Sequence, residues 1–103
     1  MVNKKDLSGI HPLFLSCFTG NFEVTLLLIE SGADASQAHN ETGATPLHVC
    51  AERGFNEIAE LILDQHPNQL YEQEFVDGNT PFHVACEWDQ IECVRLFCNI
   101  LDS

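Results

Sequence analysis

Basic residues are scarce in this chain. Lys and Arg number four against sixteen Asp and Glu, which gives a formal net charge of −12 at pH 7. Lys4 and Lys5 fall in the N-terminal tail, so the body of the sequence has only Arg53 and Arg95. This charge should repel nucleic-acid phosphates and anionic membranes. The sequence therefore predicts no nucleic-acid partner and favours a protein partner with a basic or neutral surface, unless the acidic residues serve only to keep the surface soluble.

Long apolar runs are also missing. No stretch approaches the roughly 18 consecutive apolar residues of a membrane helix, and the segment from Met1 to Asp6 lacks the apolar run of a signal peptide. We therefore expect no membrane insertion and a cytoplasmic location, with the nucleus as the alternative. Hydrophobic residues still make up 45% of the chain, which is typical of a folded protein and sufficient for one compact unit.

The cysteines lack the spacing of a metal site or a disulfide framework. Their number is odd, and no two are separated as Cys-x-x-Cys: Cys17, Cys50, Cys86, Cys93 and Cys98. Each falls in an apolar periodic segment, where a thiol packs as a small hydrophobic group. We predict structural, reduced cysteines, which fits a cytosolic or nuclear compartment.

The sequence does contain an internal repeat, with a period of 34 to 35 residues. Each copy has a glycine followed three residues later by a proline: Gly9 and Pro12, Gly43 and Pro46, Gly78 and Pro81. A second glycine follows eleven residues after the first, as Gly20 and Gly54, and Asp89 replaces it in the third copy. Three register-locked copies of one supersecondary unit therefore account for nearly the whole chain.

Each copy predicts two helices joined by a tight turn. In the second copy, Thr45 can cap a helix whose first position is Pro46, where the missing N–H costs nothing. That helix runs to about Arg53, and Gly54 supplies the permissive backbone for the turn. The apolar stripe of the second helix is formed by Ile58, Leu61 and Ile62, and this helix ends before Pro67.

These motifs resemble ankyrin repeats over roughly residues 8 to 101. The resemblance rests on Thr45-Pro46-Leu47-His48, Thr80-Pro81-Phe82-His83, the paired glycines and Ser31-Gly32-Ala33-Asp34. It implies an all-α solenoid of stacked helix-turn-helix units with projecting β-hairpin or loop fingers. The predicted division is an N-terminal tail (1–7), a capping-like first repeat (8–41), a second repeat (42–76) and an incomplete third repeat (77–103).

Departures from the family pattern modify this prediction. The links are longer than those of the family's 33-residue unit, so the fingers, at about 35–43 and 70–78, should be longer or bulged. The first copy reads His11-Pro12-Leu13-Phe14, without the capping threonine or the following histidine, as expected of a cap. Asp89 in place of glycine should strain or alter its turn.

The titratable pairs of the sequence do not indicate catalysis. His48 and His83 stand one repeat apart, and the resemblance implies that such a histidine hydrogen-bonds locally and bridges neighbouring repeats. Glu52 and Glu87 also align, and we interpret them as part of a solvated face because helical carboxylates are abundant here. No nucleophile motif, phosphate-binding loop or HExxH is present. We predict no enzymatic activity, no cofactor and no metal.

The resemblance places partner binding on the concave face formed by the fingers and the outer side of the first helices. The candidate residues are Ile10, Phe18, Asn40, Glu41, Ala44, Glu52, Arg53, Phe75, Asp77, Asn79, Glu87 and Trp88. Trp88, Phe18 and Phe75 are the predicted aromatic anchors, with packing between repeats as the alternative for each. Arg53 is predicted either to contact the partner or to pair with Glu87.

The sequence therefore predicts a protein-interaction module of the adaptor or scaffold kind. Two alternatives stay open. One is an inhibitor that masks a transcription factor, because the stretch from Gly78 to Glu87 is similar to inhibitor-of-κB proteins. The other is a non-catalytic module of a larger enzyme or channel. The apolar last helix predicts either a piece of a longer array or an end covered by a partner or a second copy.

Overall fold

The computed structural model describes residues 12–35, 42–74 and 77–102, and within these ranges the chain is helical. Six α-helices form three consecutive pairs: α1 (Pro12–Thr19) with α2 (Phe22–Glu30), α3 (Pro46–Arg53) with α4 (Asn56–Gln65), and α5 (Pro81–Glu87) with α6 (Ile91–Leu101). A short 3-10 helix, Pro67–Tyr71, follows α4. The predicted all-α solenoid is confirmed.

The first helices of the second and third pairs begin at capping boxes, as the sequence predicts. The Thr45 hydroxyl accepts a hydrogen bond from the His48 backbone N–H at 3.3 Å, and His48 Nδ1 accepts one from the Thr45 backbone N–H at 3.1 Å. Thr80 and His83 repeat the arrangement. Pro46 occupies the first helical position, where the missing N–H of proline needs no hydrogen-bond partner. The Thr45 cap contributes about 1 kcal/mol to the stability of the helix.

The turn inside each pair contains one residue in the left-handed backbone conformation. In the first two pairs this residue also packs against the next repeat. Gly20 and Gly54 both have φ of +80°. A Cβ on Gly20 would overlap the Phe55 ring, and one on Gly54 would overlap the Gln90 carboxamide. The strain predicted at Asp89 is present, since its φ is +59°.

The core lies where the repeats stack. α3 packs between α1 and α5, while α4 packs between α2 and α6. Six residues of α3 are buried, against three in α1 and three in α5. Leu47, Ile62 and Phe97 are fully enclosed, and burying a side chain of this size contributes about 1.5–3 kcal/mol. The middle repeat therefore anchors the molecule.

The prediction that each cysteine packs as a small hydrophobic group is wrong for two of the five. All five are free thiols; Cys17, Cys50 and Cys93 are buried, whereas Cys86 and Cys98 are exposed. α5 packs on α3, α6 and the 3-10 helix, and Cys86 lies on the side that these elements leave open. Periodicity assigns a residue to a helix face, but exposure depends on which neighbours cover that face.

The second finger is shorter than the predicted segment from 70 to 78. Leu70 belongs to the 3-10 helix and is 2% exposed, so the start of the segment is part of the core. Later in the segment, the Glu74 N–H donates to Asn79 O, and the Gly78 N–H donates to Glu74 O, each at 3.0 Å. Pro67 favours helical geometry at the start of this link, which draws the following residues inward. Most of the first finger lies outside the described residues.

Candidate partner-binding cleft

A cleft of about 220 Å³ lies between the second and third repeats, bounded by α3, α5 and the turn before α5. We call it the Trp88 cleft. It is lined by Ala44, His48, Val49, Glu52, Glu74, Asp77, Asn79, Val84, Glu87 and Trp88. Six of the twelve residues predicted from sequence are among them, because equivalent positions of successive repeats come together when the repeats stack.

His48 fixes the relative position of the two repeats beneath this cleft. Its Nε2 lies 2.8 Å from Asn79 O in the next link. The Thr45 backbone N–H can only donate to Nδ1, so the proton of the neutral ring belongs on Nε2, which donates to Asn79 O. Burial lowers the pKa of His48, and this favours the neutral ring. The predicted local and bridging role of His48 is confirmed.

One wall of the cleft is the turn that carries Asp77 and Asn79. Glu74 Oε1 accepts hydrogen bonds from the Asp77 N–H at 2.6 Å and from the Gly78 N–H at 3.1 Å. Gln73 Nε2 donates to Gly78 O at 3.1 Å. These bonds hold Glu74 in place, while the Asp77 side chain is exposed at the rim.

The rim combines an aromatic ring with carboxylates. Trp88 follows the last residue of α5 and is 54% exposed, so about half of its surface remains open to solvent. Glu87 is exposed and Glu52 is half-buried. Four carboxylates line the cleft, and neither Lys nor Arg is among the residues that line it. The cleft therefore offers an exposed anchor in a strongly negative setting.

Val49 and Val84 were absent from the predicted set, although both line the cleft and are nearly buried. They stand 35 residues apart, at equivalent positions of successive repeats. That spacing is the signal that could have identified them as its apolar floor. Glu74 also lines the cleft, where the backbone of its own turn holds its side chain.

Arg53 turns away from the Trp88 cleft. Its guanidinium lies 4.4 Å from the centroid of the Phe18 ring and 5.9 Å from that of Phe55, both of which are cation–π distances. The described residues contain no ion pair between Arg53 and Glu87, so that part of the prediction is not realised. Phe18 is 47% exposed and forms the aromatic partner of Arg53.

Four of the predicted partner-binding residues lie outside the described parts of the chain, and their role stays a prediction: Ile10, Asn40, Glu41 and Phe75.

A second groove, of about 320 Å³, lies on the other side of the stack between α2 and α4. Its lining is Phe22, Glu57, Glu60, Leu61 and Asp64. We call it the outer groove. It is acidic like the Trp88 cleft but has no tryptophan, so it provides matched control positions for tests of charge.

The described residues contain no group of three or more His, Cys, Asp and Glu side chains that could hold a metal ion. None of the helices in the described ranges has the length and apolar character needed to cross a membrane.

Comparison with known protein families agrees with this architecture. The family model described as ankyrin repeats (3 copies) matches residues 1–72, and the model of a single ankyrin repeat matches residues 77–100. The chain therefore belongs to the ankyrin repeat family. Ankyrin repeats are protein-interaction modules and the family is generally non-catalytic.

Similar proteins are much longer than this chain. The tyrosine-protein kinase HTK16 of Hydra vulgaris is 28% identical over 95 residues, which cover 92% of this chain and 12% of the kinase. Alpha-latrotoxin-Lhe1a of Latrodectus hesperus is 37% identical over 84 residues, which cover 82% of this chain and 6% of the toxin. The human ARF GTPase-activating protein GIT1 is 47% identical over 62 residues, or 60% of this chain and 8% of that protein. These relatives give no support to the further similarity to inhibitor-of-κB proteins.

Proposed function

We propose that this chain binds a partner protein through the Trp88 cleft and that it serves as an adaptor or scaffold segment. The observation that carries this proposal is the exposed tryptophan beside an apolar-floored cleft whose charged residues are all carboxylates. A large aromatic side chain left 54% exposed keeps apolar surface in water, and a partner would remove it from water. Buried tryptophans are among the side chains that dominate binding energies at protein interfaces.

Charge defines the kind of partner. The cleft carries Glu52, Glu74, Asp77 and Glu87 within a chain of net charge −12. A basic segment on the partner would be attracted during encounter and would pair with the rim carboxylates, whereas an acidic one would be repelled. We therefore propose a partner with a basic surface, in the cytoplasm or nucleus, and we expect its affinity to fall as salt concentration rises.

A second candidate is a non-catalytic module of a larger protein. This candidate is favoured by the relatives, since the chain spans 12% or less of the kinase, the toxin and the GTPase-activating protein. The two candidates share the same cleft and differ only in what the chain is attached to. Any catalysis would then belong to other parts of the protein.

Site-specific photo-crosslinking tests the proposal. The crosslinking amino acid p-benzoylphenylalanine replaces Asp77 at the rim of the Trp88 cleft in one variant and Glu60 in the outer groove in a matched control. We expect a defined partner to crosslink from position 77, to be lost in the Trp88→Ala background, and to be absent from position 60. Equal crosslinking from both positions would contradict the proposal.

Self-association is a separate outcome of the same experiment. Ile91 and Leu101 on α6 are 63% and 41% exposed, so an apolar face is available at that end of the stack. If position 77 crosslinks only to a second copy of the chain, the cleft is a homotypic contact and the proposed role as an adaptor is wrong.

A further inference from the structure

We propose that the Trp88 cleft selects arginine: a guanidinium group of the partner stacks on the Trp88 indole and pairs with the carboxylates of Glu52 and Glu87. This inference rests on the proposed function and adds the chemistry that the cleft recognises. Three features support it: an arginine–aromatic contact one repeat earlier, the absence of such a cation in this cleft, and the equivalent positions of the two glutamates on packed helices.

The arginine–aromatic contact is found between the first and second repeats. At the C-terminal ends of the first helices, the repeats align as Phe18-Thr19, Glu52-Arg53 and Glu87-Trp88, where Trp88 directly follows α5. Arg53 reaches back to the preceding repeat, where its guanidinium lies 4.4 Å from the centroid of the Phe18 ring. In this stack, a guanidinium and an aromatic ring of neighbouring repeats are therefore already in contact, and the chain itself supplies both groups.

The cleft between the second and third repeats has the aromatic ring but lacks the cation. Trp88 occupies the position of Arg53 one repeat later, so the third repeat contributes a ring where the second contributes a guanidinium. The described ranges contain two Lys or Arg residues, of which Arg53 lies over Phe18 and Arg95 belongs to α6. The described residues therefore supply no Lys or Arg side chain to this cleft, which leaves the place of the cation to a partner.

The two glutamates line the cleft from neighbouring helices. Glu52 and Glu87 occupy equivalent positions on α3 and α5, which pack directly against each other. Packed helices have axes about 8–10 Å apart, which leaves room for one planar group between two extended carboxylates. Glu74 is already engaged by two backbone N–H groups, and Asp77 lies on the turn at the rim. Glu52 and Glu87 are therefore the two cleft carboxylates that α3 and α5 carry.

Arginine suits this arrangement better than lysine. Its guanidinium is planar, carries five donors in a rigid fork, stacks on aromatic rings and is more weakly hydrated than an ammonium group. It can therefore pair with two carboxylates and cover the indole at the same time. A lysine ammonium is a compact point charge that must give up more hydration to lie on the ring.

The chain contains its own reporter for the test, because Trp88 is its one tryptophan. N-acetyl-arginine amide, N-acetyl-lysine amide and the neutral N-acetyl-citrulline amide are titrated separately into the 103-residue chain while Trp88 fluorescence is followed. Ionic strength is matched throughout, and free N-acetyl-tryptophan amide provides the collisional-quenching baseline. We expect a saturable change with the arginine probe, binding of the lysine probe weaker by at least about fivefold, and no saturable change with citrulline.

Charge variants decide whether the change comes from the assigned carboxylates. Glu52→Gln and Glu87→Gln each should weaken binding of the arginine probe by about fivefold or more, whereas Glu60→Gln in the outer groove should leave it unchanged. Far-UV circular dichroism of each variant checks that the fold is intact. Equal affinity for the arginine and lysine probes, no saturable change with arginine, or an equal effect of Glu60→Gln would overturn the inference.

The result separates this inference from the proposed function. If a partner crosslinks from position 77 and requires Trp88, but the arginine probe does not bind, the proposed function stands and arginine selection is wrong. If the arginine probe binds with the expected preferences but no partner crosslinks, the subsite is supported and the proposed adaptor role is wrong.

Discussion

Replacing Gly54 by alanine should weaken the contact between the second and third repeats and destabilise the chain. Gly54 has a φ of +80°, and a Cβ at this position would overlap the Gln90 carboxamide. Gln90 sits there because its Nε2 donates a hydrogen bond to Glu52 O at 2.7 Å. The substitution therefore imposes a strained backbone and also displaces a contact between repeats.

The magnitude follows from these two effects. An L-residue in the left-handed region costs about 1–2 kcal/mol, part of which is offset because alanine restricts the unfolded chain by about 0.4–1 kcal/mol. Loss of the Gln90 hydrogen bond adds about 1 kcal/mol. We expect Gly54→Ala to lower the free energy of unfolding by about 2 kcal/mol.

Gly78→Ala is the matched control. Its φ is +71°, close to that of Gly54, but a Cβ there would meet nothing within 4 Å. It should cost only the backbone strain, about 1 kcal/mol, so the Tm values of the two variants should differ by about 4–8 °C.

Urea and thermal unfolding followed by circular dichroism measure both variants, and Gly54→Ala combined with Gln90→Ala completes a double-mutant cycle. The second substitution should cost less in the Gly54→Ala background, because the contact is already lost. If Gly54→Ala costs no more than Gly78→Ala, the assigned contact between repeats does not stabilise the stack.

Three further predictions concern single residues. Burial lowers the pKa of His48 below 6.5, so the unfolded chain takes up a proton before the folded chain does as pH falls. The Tm of the wild type should therefore exceed that of His48→Gln by its full amount above about pH 6.5, and the difference should shrink below that pH. A constant difference between pH 7.5 and 5.5 would contradict the buried neutral ring. Asp89→Gly should raise the Tm by relieving a φ of +59°, with a gain of about 0.5–1 kcal/mol in urea unfolding, and a lower Tm would show that the Asp89 side chain stabilises the turn. Native thiol labelling should modify Cys86 and Cys98 within the first phase and leave Cys93 unlabelled, because Cys93 is buried and its pKa is raised to about 11; simultaneous labelling of all five would refute this burial pattern.

The starts of the first helices could be predicted because their signals are local. Thr45, Pro46 and His48 form a capping box among residues three positions apart, and the same residue types recur at Thr80. The cleft could be predicted in part for a different reason. Once the repeat register is known, Glu52 and Glu87 must fall on neighbouring helices, whatever the detailed packing.

The remaining features depend on tertiary contacts that no local pattern contains. The 3-10 helix around Leu70 forms where that side chain enters the core, and the repeat period gives no sign of it. The sequence left Arg53 either to a partner protein or to Glu87. The structure instead places its guanidinium over the Phe18 ring, a contact that neither alternative included. Exposure of Cys86 likewise depends on which helices cover α5.

The central claim is that Trp88 anchors a partner protein in the cleft. The most direct test is the affinity of the partner crosslinked from position 77, measured by calorimetry against the wild type, Trp88→Ala and Tyr71→Ala. Tyr71 is a suitable control because it is 62% exposed but does not line the cleft. We expect Trp88→Ala to weaken binding at least about tenfold with an unchanged far-UV spectrum, and Tyr71→Ala to change it by less than about twofold. Equal losses for the two variants, or unfolding of Trp88→Ala, would contradict the account.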